Sequence, residues 1–183
     1  MHDSIKRVTA VINGETPDRA PLFDLLRNDA VIEHFSGRRL TFENAPDVVY
    51  AAYAPAVDAT RPLIKMPAPE STETLEDGRE QRNYRWTSWI PYKQYRDSES
   101  YASIKRRELA KSDPTETDSG RRALGEDTLL KIAEERRKLG EVFLVPGIAG
   151  PRLMKIYSEV GLEAFSYILA DCPDIVTELL ERN

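Results

Sequence analysis

Cysteine occurs once in this 183-residue chain, as Cys172, and histidine only twice, as His2 and His34. A single thiol forms no internal disulfide and cannot supply a cysteine-rich zinc site. No apolar run approaches the roughly 18 residues that a membrane-spanning helix needs. Residues 1–11 (MHDSIKRVTAV) hold no apolar core of the kind a secretory signal uses, which leads us to expect a cytoplasmic protein. Nucleophile-elbow, phosphate-loop and dinucleotide-binding glycine motifs are missing, as are internal repeats and low-complexity tracts. Charge, by contrast, is plentiful. Lys and Arg total 26 against 31 Asp and Glu, giving a net charge of −5, a balance that argues against a nucleic-acid binder. With 40% hydrophobic residues, the chain can build a core and is not disordered.

The apolar spacing predicts alternating helices and strands. Ser4 caps a first helix carrying Ile5, Val8 and Ile12 and stopped by Asn13-Gly14. A turn follows at residues 15–21 (ETPDRAP), then a buried strand at 22–26 (LFDLL). Asn28 or Asp29 caps a helix ending at Gly37, and a further helix is expected over 45–59, with Pro55 as a kink or an early end. Residues 62–66 (PLIKM) read as a second strand. The polar segment 71–92 reads as a β-hairpin excursion with a two-residue Asp77-Gly78 turn. A helix from Ser98 to about Ala110 leads to a polar loop over 111–125. Then come a helix at 127–139, a third strand at 141–146 (EVFLVP), a tight Gly147–Pro151 turn, and helices at 152–160, 162–170 and 173–182. Strands alternating with helices imply βαβ units and an α/β fold with a parallel sheet.

In such sheets, sites form at the carboxyl ends of the strands. That rule selects Asp24, Arg27, Asn28 and Lys65 as pocket candidates, with Gly147 and Gly150 shaping the backbone. Arg27 can hold a carboxylate bidentately, although Asn28 or Asp29 also serves as a helix cap. Arg85 and Trp86, with Trp89 and Tyr92, can wall a flat ligand or pack the hairpin on the core. No metal site is expected. His34 lacks a second histidine or cysteine nearby, and Cys172 has no general base in its vicinity, so it reads as an inert thiol.

The opening segment, with Gly14, Pro17, Asp18, Arg19 and Pro21 as G-x-x-P-D-R-x-P, resembles the start of uroporphyrinogen decarboxylase-like proteins. It resembles more closely their cobalamin- and corrinoid-dependent methyltransferase branch. Gly161-Leu162-Glu163-Ala164-Phe165 and Asp171-Cys172-Pro173-Asp174 are similar to the family's later G-x-E-x-F and D-D-P-E helices. The resemblance implies a (β/α)8 TIM barrel, a fold of about 250 residues. On that reading residues 1–183 are a single partial domain, the N-terminal part of an incomplete barrel with 71–92 inserted as a hairpin. It also implies methyl transfer between methylcobalamin and a small acceptor, with zinc held by His and Cys of a C-terminal half outside these residues. The family's arginine-rich R-Q-A-G-R-Y loop is replaced here by Arg27-Asn28-Asp29, and its strand-end Asp is missing from Leu63-Ile64-Lys65-Met66. Cofactor-free porphyrinogen decarboxylation is therefore the alternative, and a non-catalytic fragment or binding module the third. The partners implied are a small molecule or corrinoid-protein substrate and, through open sheet edges, another copy or the missing half; neither a nucleic acid nor a membrane is expected.

Overall fold

A computed structural model describes residues 3–111, 114–145 and 152–182. The chain forms two compact units, one of residues 1–89 with 125–147 and one of 90–124 with 148–183. It is a mixed α/β structure with a small parallel sheet. Among the described residues no helix is long and apolar enough to cross a membrane.

Unit 1 opens with α1 (Ser4–Ile12). Ser4 does not cap it. The capping position falls to Asp3, whose side chain makes no capping bond, and Ser4 is buried within the first turn. The expected strand at 22–26 contracts to a parallel bridge between Phe23 and Ala59. Leu22 and Phe23 keep about half of their surface exposed, so this apolar run buries less than its composition suggests. Asn28 caps α2 (Asp29–Ser36) by accepting the Val31 amide at 3.2 Å, and Gly37 closes it in the left-handed conformation.

The α3 helix (Ala45–Ala56) packs on α2 through Val48, Val49, Ala52 and Tyr53, the centre of the unit's core. It ends three residues earlier than its sequence spacing predicts. Val57 is extended (φ −138°, ψ 157°), and residues 59–60 form β1 (Ala59–Thr60) instead. The second strand therefore lies before Pro62. Residues 62–66 are irregular, with Leu63 at φ 62°, a left-handed conformation that a branched residue rarely adopts.

The 71–92 excursion is a three-stranded antiparallel sheet of β2 (Ser71–Thr74), β3 (Glu80–Asn83) and β4 (Ser88–Trp89). Its first turn has three residues rather than two. The Gly78 amide donates to Leu75 O at 2.9 Å and the Leu75 amide to Arg79 O at 2.8 Å, with Gly78 at φ 81° supplying the left-handed step.

The α4 helix (Ser98–Lys111) belongs to unit 2, and α5 (Pro114–Leu139) begins within the stretch expected to be a polar loop. Pro114 suits a helix start, and the Glu, Arg, Leu and Ala residues that follow outweigh Gly120 and Gly125. The β5 strand (Phe143–Leu144) is shorter than expected and pairs in parallel with β1, Ala59 opposite Phe143. The glycines proposed to shape the pocket, Gly147 and Gly150, lie outside the described residues. Backbone bonds join 22–24 to 58–60 and 58–60 to 143–145, so the parallel segments lie side by side in chain order.

Unit 2 is helical: α4 packs with α6 (Arg152–Val160), α7 (Leu162–Asp171) and α8 (Pro173–Arg182) around Tyr101, Ile156, Phe165, Ile168 and Ile175. Within it, Glu159 accepts Lys105 Nζ at 2.8 Å, Lys93 Nζ at 3.1 Å and the Tyr95 hydroxyl at 3.0 Å. Burial alone would raise the Glu159 carboxyl, but these three donors outweigh it and lower it.

Candidate functional site

The two ends of the parallel ladder are chemically opposite. At the amino end, Asp58 is 1% exposed and saturated with donors. Its carboxylate accepts the Ser4 hydroxyl at 2.9 Å, Arg7 Nη1 at 2.9 Å, Arg19 at 2.6 and 3.0 Å, and the Leu22 amide at 2.9 Å. Arg7 also grips Asp18 at 2.6 and 2.8 Å. Burial alone would raise the Asp58 carboxyl, but the Leu22 amide, Arg19, Ser4 and Arg7 hold it far below the usual carboxylate range. Asp18 and Arg19, two residues of the opening motif, thus tie α1 and the 15–21 turn to the start of β1. With its acceptor positions taken, this network is a structural clamp.

The carboxyl end presents a cleft of about 90 Å³. Arg27, which follows the first ladder segment, and Arg61 and Lys65, which follow β1, all line it, over Leu26 and Tyr53. None of the three cations has an ion-pair partner among the described residues. The Tyr53 hydroxyl, buried at the back, accepts the Leu26 amide at 3.2 Å, and burial raises its pKa. Two forked guanidinium groups and an ammonium around a space of this size suit one carboxylate or phosphate group.

The loop that carries Arg61 and Lys65 is held from α5. Glu135, buried, accepts the Leu63 amide at 2.6 Å and the Ile64 amide at 2.8 Å. Tyr50 leans on the same carboxylate at 3.4 Å; burial first, then Glu135, pushes its hydroxyl up to about 12. Two amide donors to a buried anion explain how Leu63 keeps its strained φ of 62°.

The structure therefore brings Arg27 and Lys65 together and adds Arg61, Tyr53 and Glu135, which the sequence did not single out. Arg61 had no legible signal, since the strand expected at 62–66 would place it at that strand's amino end. Glu135, more than 70 residues away, had none either. Asp24 joins the ladder by its backbone, and its carboxylate accepts the Leu25 amide at 2.7 Å rather than facing the cleft. Asn28 is spent as a cap. Arg85 and Trp86 meet elsewhere in unit 1, at Asp29. The Trp86 indole donates to it at 2.7 Å, and Arg85 Nε lies 2.6 Å from it as an ion pair with the N–H misaligned, the guanidinium 4.8 Å above the Phe42 ring. They fasten α2 to the turn between β3 and β4 and wall no ligand cavity with the cleft residues.

Among the described residues, no group of three His, Cys, Asp or Glu side chains is placed to hold a metal ion. His34 packs edge-on against Phe35. Cys172 is buried, and burial first, then Glu99, Asp174 and Asp171, raises its thiol pKa, the direction opposite to that of an activated nucleophile. The cleft, a few water volumes in size, has no room for a corrinoid ring. Compared with family models, curated proteins and solved structures, the chain matches none of them.

Proposed function

We propose that this chain is the N-terminal portion of a uroporphyrinogen decarboxylase-like (β/α)8 barrel, and that the Arg27–Arg61–Lys65 cleft seats the carboxylate of a small substrate. The parent activity on this reading is methyl transfer between a corrinoid and a small acceptor. The observation that carries it is the convergence of three cations, without an ion-pair partner among the described residues, at the carboxyl end of a parallel ladder, where active sites of such folds lie. The ladder is compatible with the barrel reading. Segments 22–24, 58–60 and 143–145 are neighbours in chain order, an arrangement that a singly wound barrel shares with one half of a doubly wound sheet.

The roles follow from position. Arg27 and Arg61 offer paired N–H donors to the two carboxylate oxygens, Lys65 adds a mobile point charge, and Glu135 sets the loop that holds two of the three. On this reading the methyl group would come from a corrinoid held outside this cleft, which has no room for the ring. What this chain contributes is orientation of the acceptor by its acid group. Propionate or succinate titrated into the full chain should bind, and the corresponding amides should not. Arg27→Ala combined with Lys65→Ala should weaken the acid about a hundredfold or more, since charge-assisted hydrogen bonds of this kind are worth roughly 1.5–3 kcal/mol each. Equal binding of acid and amide would sink the site assignment. A carboxylate arm of a porphyrinogen fits the same cleft, so porphyrinogen turnover without methylcobalamin demethylation would favour the decarboxylase alternative. Binding with neither activity would favour a non-catalytic module.

A further inference from the structure

Unit 2 holds a cavity of about 340 Å³ between the 93–98 segment and α7, within the roughly 300–1,000 Å³ range of small-molecule sites. Tyr95, Ala164, Tyr167 and Ile168 supply an apolar, partly aromatic wall. Four charged side chains also line it, and their pairing decides its sign. Lys93 is neutralised by Glu159 at 3.1 Å, and Arg96 by Asp97 at 2.9 Å. Asp97 is doubly engaged, since it also accepts the Ser100 amide at 2.7 Å and so occupies the amino end of α4.

Asp171 is left over. Its carboxylate accepts only the Ser98 hydroxyl, at 2.9 Å, and it has no cationic partner among the described residues. It is the last residue of α7, where the helix dipole and terminal carbonyl groups favour positive charge. The Tyr167 ring, 60% exposed beside it, presents a face that attracts cations.

We propose that this cavity binds a small primary amine on an apolar or aromatic body, its ammonium paired with Asp171 and its body against Tyr167 and Ile168. The site is independent of the cationic cleft and stands or falls separately. Phenethylamine, 2-phenylethanol and phenylacetate share a shape and differ in charge, so calorimetric titration of each into the full chain at neutral pH isolates the pairing. The amine should bind about tenfold more tightly than the alcohol or the acid. Asp171→Asn should erase that preference, Asp171→Glu should keep most of it, and Tyr167→Ala should weaken all three ligands. In the unaltered protein, the amide resonances of Ala164 and Ile168 should shift on adding the amine. Phenylacetate binding as well as phenethylamine, a preference that survives Asp171→Asn, or unmoved Ala164 and Ile168 resonances would each overturn the proposal.

Discussion

Replacing Asp58 by Ala removes one carboxylate and strands every group gathered on it. Ser4 is 2% exposed, so its hydroxyl and the Leu22 amide lose their acceptor where water has little access. The Arg7 side chain, 12% exposed, keeps Asp18 as a partial partner, while the Arg19 side chain, 49% exposed, can turn to solvent. Breaking a buried charge pair from one side costs about 3–5 kcal/mol. The solvent available to Arg19 and the surviving Arg7–Asp18 pair place this case near the lower end, about 3 kcal/mol. Both tryptophans, Trp86 and Trp89, lie in unit 1, so intrinsic fluorescence reports on that unit. With a urea slope of about 1–3 kcal/mol per molar, the midpoint should fall by roughly 1–3 M. Asp58→Asn should be nearly as damaging, because its amide group turns a donor toward donors. Asp18→Asn, at an exposed position, should shift the midpoint far less. The pH dependence has a definite sign. The folded carboxyl of Asp58 lies below its unfolded value, so its contribution is complete above the unfolded pKa of about 4 and is lost as pH falls through that value toward the depressed one. The Asp58→Asn protein should therefore show a flatter loss of stability on the acid side. A midpoint lowered by less than about 0.3 M in Asp58→Ala would refute the clamp.

Three other outcomes are expected. Glu135→Ala frees the Leu63 and Ile64 amides and the strained Leu63 backbone, so unit 1 should lose about 2 kcal/mol by tryptophan fluorescence and carboxylate binding at the cleft should weaken in parallel. Gly161→Ala places a methyl 2.9 Å from Tyr92 Cδ2 at a residue with φ 86°, and should destabilise unit 2 by about 1–3 kcal/mol, read as faster hydrogen exchange of α7 amides. Cys172 should react with a disulfide reagent at least about tenfold more slowly in the native chain than in urea, because the thiol is buried and its thiolate disfavoured first by burial and then by Glu99, Asp174 and Asp171.

Local chemistry made much of the fold legible. Helix ends at Asn28 and Gly37 follow from capping and left-handed glycine, and the periodic segments over 152–182 fall where their spacing puts them, because short-range sterics and one apolar face suffice to specify a helix. Strands were harder. The sequence 22–26 looks buried, yet it contributes one bridge. The residues that pair are 59–60, which read as the tail of a helix until Val57 turns extended and Asp58 finds its donors. Strand pairing is a non-local choice, and only the partner segments decide which residues make it.

The sequence by itself determined that the chain mixes helices with parallel segments and that Arg27 follows one of them, whereas Lys65 owes its candidacy to a strand expected at 62–66 that the structure moves to 59–60. Tertiary structure alone decided that Asp18 and Arg19 serve a clamp on Asp58, that Asp29 is spent on Arg85 and Trp86, and that Arg61 completes the cationic cleft under the hold of Glu135. The physical reason is common to all three. A charged residue's role depends on which opposite charge or donor it is buried against, and those partners lie about 10 to 70 positions away in the chain.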